Sequence, residues 1–211
     1  MSDRLFLLLN KGKNRKMEKK RIILASGSPR RKELLLQIGI VPEIIVSHVE
    51  EKITSDVPSE VVMSLAEQKA VDVAKDMPEG AVVLGSDTVV AADGKILGKP
   101  KSHEEAYEMI KRLAGRSHQV YTGVCIVKKG IVGEEDMVVS FCDETDVNVS
   151  PMTEAEIREY ADSEEPMDKA GSYAVQGFFA RYIEGLKGSY ANVMGLPVHL
   201  VYQKLKELGA V

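Results

Sequence analysis

Cysteine is scarce in this chain: Cys125 and Cys142 are the two thiols among 211 residues. Both lie in apolar, strand-like runs, so the expectation is buried free thiols in a reducing, cytoplasmic compartment, with a single disulfide as the alternative. Net positive charge is absent. The formal charge of −4 argues against broad binding to nucleic acid or to a membrane surface. Any polyanionic ligand must therefore meet a local basic cluster rather than a global field. Long hydrophobic runs are missing too. Leu5-Phe6-Leu7-Leu8-Leu9 is far too short to span a bilayer, and basic residues follow it where a secretion signal would want small ones. There is no internal repeat. G-x-G-x-x-G, H-E-x-x-H and C-x-x-C do not occur, and the Gly94 to Pro100 stretch resembles a P-loop superficially, with proline where Ser or Thr is needed.

What is present is ordinary for a soluble globular protein: 44% hydrophobic and 28% charged residues, in a chain long enough to bury one sizeable core. Residues 1–20, rich in Lys, Arg and Asn around a second methionine, Met17, read as a poorly ordered extension. Residues 21–211 read as a single domain. Within it, Ile22–Ala25 has the pattern of a buried strand and Arg30–Ile38 that of a helix closed by Gly39. Ile44–Val46 reads as a short strand and Pro58 to Lys75 as a helix. Ala81–Leu84 and Thr88–Ala91 read as strands broken by Gly85-Ser86-Asp87, and Asp93-Gly94 as a tight hairpin turn. Glu104–Leu113 follows as a helix capped by Ser102. Val120–Val127 and Met137–Val149 are expected to pair as strands. Thr153-x-x-Glu156 forms a capping box for a helix to Ala161, and the last helix opens at Pro197. Interleaved strands and helices around a β-rich centre predict an α/β fold with a mixed sheet.

The stretch Ile22-Ile23-Leu24-Ala25-Ser26-Gly27-Ser28-Pro29-Arg30-Arg31-Lys32 puts cations at a helix start, where the macrodipole already disfavours them. An anion expected at that spot resolves the conflict. Free backbone N–H groups at a helix mouth receive phosphate, Ser26 and Ser28 add hydroxyls, and arginine grips phosphate oxygens with a two-pronged fork. A plain N-cap with a solvated basic face would not select adjacent arginines. In Leu84-Gly85-Ser86-Asp87-Thr88-Val89-Val90, an aspartate among apolar residues at a strand end is costly unless paired, metal-bound or catalytic. A turn-capping aspartate is an equally good reading of that stretch alone. Lys69 and Lys99 gain weight as ligands when taken together. Glu165 to Gly177 and Gly188 to Pro197 are rich in glycine and polar groups, as site-bearing loops tend to be.

Taken in order, Leu24–Leu35, Gly85–Val90, Gly98–Pro100, Tyr121–Val124, Glu165–Gly177 and Asn192–Pro197 resemble the Maf family of nucleotide pyrophosphatases, and the likeness runs from about Ile22 to Leu208. The resemblance implies an elongated mixed sheet in two lobes with a central cleft, and a homodimer. It implies cleavage of a nucleoside triphosphate to monophosphate and pyrophosphate, with a divalent cation, Mg or Mn. It further implies Asp87 as general base or metal-bound carboxylate, and Ser26, Arg30, Arg31, Glu33, Lys69 and Lys99 around phosphates and metal, Glu33 being a metal ligand with Asp87. Arg30, Thr88 and Gln176 stand where branches of the family differ, and this combination resembles the branch acting on dTTP and UTP. A glutamine carboxamide places a donor beside an acceptor and suits the imide edge of uracil or thymine; a flipped amide suits cytosine. The competing expectations are a nucleotide-binding regulator of cell division and septum formation, or a pyrophosphatase for modified purine nucleotides. All of these readings require Arg30 and Asp87 to face each other across one groove.

Overall fold

Ile22, Ile23 and Leu24 form β1 (Ile22–Leu24), whose apolar run is buried because the strand lies inside a sheet, parallel to a neighbour on each side. The protein is described here from a computed structural model covering residues 21–211; the extension expected at residues 1–20 lies outside the described residues. After β1 come α1 (Pro29–Gln37), β2 (Glu43–Ile44), α2 (Pro58–Ala74), β3 (Val82–Ala92), β4 (Lys95–Leu97) and α3 (His103–Leu113). Then follow β5 (Ser117–Lys128), β6 (Met137–Val149), α4 (Glu154–Ala161), three short 3-10 segments, β7 (Ile183–Lys187), α5 (Tyr190–Val193) and α6 (Val198–Glu207). The strands form one seven-stranded mixed sheet in the order β2-β1-β3-β5-β6-β7, with β4 hairpinned onto β3. The α/β class expected from the sequence is the class observed.

Local signals act where they stand. Ser102 accepts from the Glu105 N–H, Thr153 and Glu156 close their capping box, and Asp93 and Gly94 both take left-handed φ in the β3–β4 turn.

Two expectations change. Gly85-Ser86-Asp87 does not break a strand: β3 is continuous, with Gly85 opposite Cys125 and Asp87 opposite Gly123 on β5. Asp87 is therefore a mid-strand residue rather than a strand-end one. The glycines serve α2, whose backbone lies so close that a Cβ at Gly85 would strike the Ala66 carbonyl and one at Gly123 the Val62 carbonyl. The other change is in the C-terminal third, where the sequence of Glu165–Gly177 suggests turns and a short strand: the observed structure has 3-10 turns at Glu165–Asp168 and Ala170–Ser172 and no strand there, and β7 pairs with the end of β6. Gly185 interrupts the apolar alternation of β7, so its sequence does not announce a strand.

The long central strands cross two cores. Val82 and Leu84 pack with Leu34, Leu35, Leu196 and Leu205, whereas Val90 and Ala92 pack with Tyr107, Ile110, Leu113, Tyr160 and Phe179. Between them β3 carries Ser86, Asp87 and Thr88. The polar interruption of the strand is where the cleft opens.

Candidate active site

A hollow of about 520 Å³ lies there, of a size that holds a small ligand. Its lining comes from the β1–α1 turn, residues 46, 47 and 51, α2, β3, β5 and the loops at residues 99, 168–176 and 193–195. Ser26, Arg30, Arg31, Lys69, Asp87, Thr88, Lys99 and Gln176 all line it, so residues up to 150 positions apart meet in one place, and Arg30 shares the hollow with Asp87.

At the phosphate-like end, Pro29 occupies the first turn of α1 and Ser28 makes no side-chain cap, so the helix mouth is not closed by its own sequence. The Arg31 guanidinium is held by three neutral oxygens: Nε donates to the Gly195 carbonyl at 2.8 Å, one Nη to Ser26 Oγ at 3.0 Å and the other to Thr88 Oγ1 at 3.2 Å. Burial pushes its pKa down, while Asp87 and Glu51 pull it up from a distance. A cation fixed by neutral groups is ready for an anion.

The carboxylate centre lies alongside. Lys69, reaching from α2, places its ammonium 2.6 Å from Asp87 Oδ1 and 3.0 Å from Glu51 Oε1. Glu33 does not join them: it is exposed on α1 and does not line the hollow. Glu51 has no mark in the sequence: it follows Glu50 in a charged run, and nothing local distinguishes one glutamate from the other. Among the described residues no group of three or more His, Cys, Asp or Glu is arranged to hold a metal. Asp87 and Glu51, flanking one cation, fit the ligand style of Mg²⁺, which takes one or two carboxylates and completes its shell with phosphate oxygens and water.

The far end is built by the Glu165–Gly177 stretch. The Gly171 N–H donates to the Gly98 carbonyl at 3.0 Å, tying this stretch to the loop that bears Lys99. Asp168 and Lys169, both lining the hollow and neither singled out from sequence, form an ion pair. Burial works to raise the Asp168 pKa, but the bond to Lys169 and the charges of Lys169 and Arg30 bring it below its ordinary value. Gln176 sits at the corner of a turn closed by the Gly177 N–H on the Ala174 carbonyl at 3.1 Å. The adjoining surface is apolar, with Val90, Val120, Tyr173 and Val193.

Known proteins resemble this chain over most of its length. The chain matches the Maf-like protein family over residues 21–208. It is 46% identical to a dTTP/UTP pyrophosphatase of Lachnoclostridium phytofermentans, across 89% of this chain and 95% of that one. It is 48% identical to the dTTP/UTP pyrophosphatase of Agathobacter rectalis, across 89% and 97%. Among solved structures, the Staphylococcus aureus Ham1 protein aligns with a TM-score of 0.45 and 14% identity over 89% of this chain and 99% of that one. With the family matched along all but the last few described residues, and relatives near half identity over most of both chains, the chain belongs to the Maf family.

Proposed function

We propose that the protein is a nucleoside triphosphate pyrophosphatase that hydrolyses dTTP and UTP, and CTP less selectively, to the monophosphate and pyrophosphate. The observation that carries this reading is that Arg30, Arg31, Lys69 and Lys99 line one hollow together with Asp87 and Gln176. A basic helix mouth suits a triphosphate, a carboxylate beside it suits a water nucleophile, and a carboxamide suits a pyrimidine edge. The names of the relatives support the same substrates.

In the reaction we propose, Asp87 takes the proton of a water attacking the α-phosphorus, and Lys69 holds that carboxylate in place. Arg30, Arg31, Lys69 and Lys99 meet the charge that develops as pyrophosphate leaves; positioning and charge stabilisation are most of what phosphoryl chemistry needs from a protein. A divalent cation, held by Asp87 and Glu51 with phosphate oxygens, would supply further neutralisation of that charge. Gln176 pairs with the base against the apolar surface of Val90, Val120 and Tyr173, and we expect purines to be turned over more slowly because they do not match the Gln176 donor–acceptor pair in the same register. Free Cys125 and Cys142 support a cytoplasmic location, and no helix among the described residues is long and apolar enough to cross a membrane. We expect a homodimer, which light scattering checks.

Pyrophosphate release with Mg²⁺ from dTTP, UTP, CTP and GTP tests the proposal. Release from dTTP and UTP well above GTP is expected; comparable GTP and UTP turnover overturns the substrate choice, and no release from any of them overturns the enzyme.

A further inference from the structure

Glu165 opens the stretch that carries Gln176, yet no role above uses it. Its half-buried carboxylate collects three donors. The Tyr160 hydroxyl donates to Oε1 at 3.1 Å, the Phe178 N–H to Oε2 at 2.8 Å and the Phe179 N–H to Oε1 at 3.3 Å. Tyr160 is fully buried on α4, so the carboxylate is tied to the core of that lobe. Gly177 lies flat against the same carboxyl group, and a Cβ at that position would overlap it. The φ of Gly177 is −99°, open to any residue, so a Cβ here is opposed by the Glu165 carboxylate, which would have to move aside, and not by backbone conformation. Gly177 also closes the turn that displays Gln176. One carboxylate thus grips the chain immediately after the turn by two backbone N–H groups, leaving no space for the turn to shift toward it.

We propose that Glu165 is a positioning residue for base selection, holding the Val175-Gln176 turn so that the Gln176 carboxamide meets the pyrimidine edge in register. The proposal rests on the reading of the hollow as a pyrimidine nucleotide site. Gln176 is exposed and its carboxamide makes no hydrogen bond to the described residues. A long side chain with no bond of its own depends on its backbone for aim, since a small displacement of a donor–acceptor pair breaks both bonds at once. The carboxylate acts through Gln176 and does not touch substrate.

The test measures kcat and KM for dTTP, UTP and GTP, and the affinity for Mg²⁺-pyrophosphate alone, which reports the phosphate end. The proteins compared are wild type, Glu165→Gln, Gly177→Ala, Gln176→Ala and the double variant Glu165→Gln/Gln176→Ala. Glu165→Gln keeps the volume but turns one acceptor into an NH₂ facing an N–H; Gly177→Ala displaces the carboxylate from the other side. Each is expected to lower kcat/KM for dTTP by about tenfold or more, chiefly through KM, and to narrow the preference over GTP. Pyrophosphate affinity stays unchanged. The double variant loses no more than Gln176→Ala alone, because the two residues act as one unit. Losses that multiply in the double variant, pyrophosphate affinity that falls in step with dTTP, or single variants that behave as wild type overturn the proposal while the function stands. A wild-type protein inactive on every triphosphate removes the function and this inference with it.

Discussion

At the residue scale, the site depends on charges that are held before any ligand arrives. Arg31 is bonded through all three nitrogens of its fork to oxygens of three different segments, and Asp87 through Lys69 to α2. Preorganised groups lose little freedom when the substrate binds, which is why such an arrangement suits a reaction governed by charge. Asp87→Asn keeps shape and volume but removes the proposed proton acceptor and the charge that pairs with Lys69. Pyrophosphate release from dTTP should fall by about a hundredfold or more, with an unchanged circular dichroism spectrum. Near-normal turnover in that variant removes Asp87 from the chemistry. The sequence marks Asp87 as costly among its apolar neighbours unless it is paired; Lys69 is the pair, and the position is mid-strand. Glu33 shows the opposite. One helical turn from Arg30 is near in sequence, but Glu33 is exposed and does not line the hollow, and Glu51 from the loop beyond β2 lies beside Lys69 instead.

At the element scale, the decisive contact is α2 against the β3–β5 pair. The helix settles directly over Gly85 and Gly123, and this close approach brings Lys69 within reach of Asp87. Gly85→Ala forces the Ala66 carbonyl and Ala70 away from the sheet. The expected cost is about 1–3 kcal/mol, read as a lower urea midpoint, together with weaker turnover as Lys69 moves off Asp87. Full stability with full activity would mean that the helix has slack the present packing does not show. In the sequence Gly85 reads as a break and Gly123 as an unremarkable strand residue; that both are places for a helix to rest depends on which helix lies above them.

At the scale of the whole molecule, two cores flank the cleft, and the one beyond Val90 contains a buried titratable group. His118, with no exposed surface, bonds through Nε2 to the Tyr173 hydroxyl at 2.8 Å, and its Nδ1 has no partner. Burial lowers its pKa from 6.5 to about 4, although the Asp146 charge works the other way. As the pH falls below 6.5 the unfolded chain binds this proton before the folded one does. Stability is therefore complete above pH 6.5 and declines between there and about pH 4, by up to roughly 3 kcal/mol. Urea unfolding at pH 7 and at pH 4.5 measures the loss, and His118→Phe should reduce the difference between them. An equal loss in wild type and variant would assign the acid sensitivity to other groups. Tyr173 also lines the hollow, so the same acid range should loosen the base end of the site.

The chain's order of residues alone settled what neighbours in sequence can settle. Helix caps, the Asp93-Gly94 turn, the alternation of strands with helices and the anion-ready mouth of α1 all depend on groups a few positions apart, whose geometry the backbone dictates locally. Folding in three dimensions settled the rest. Which carboxylate stands beside Lys69, how β7 finds the end of β6, and that Arg31 is anchored on Gly195, 164 residues away, depend on strand register and helix packing between distant segments. Such meetings have no local signature, because side chains converge only after separate elements have buried their apolar faces against one another.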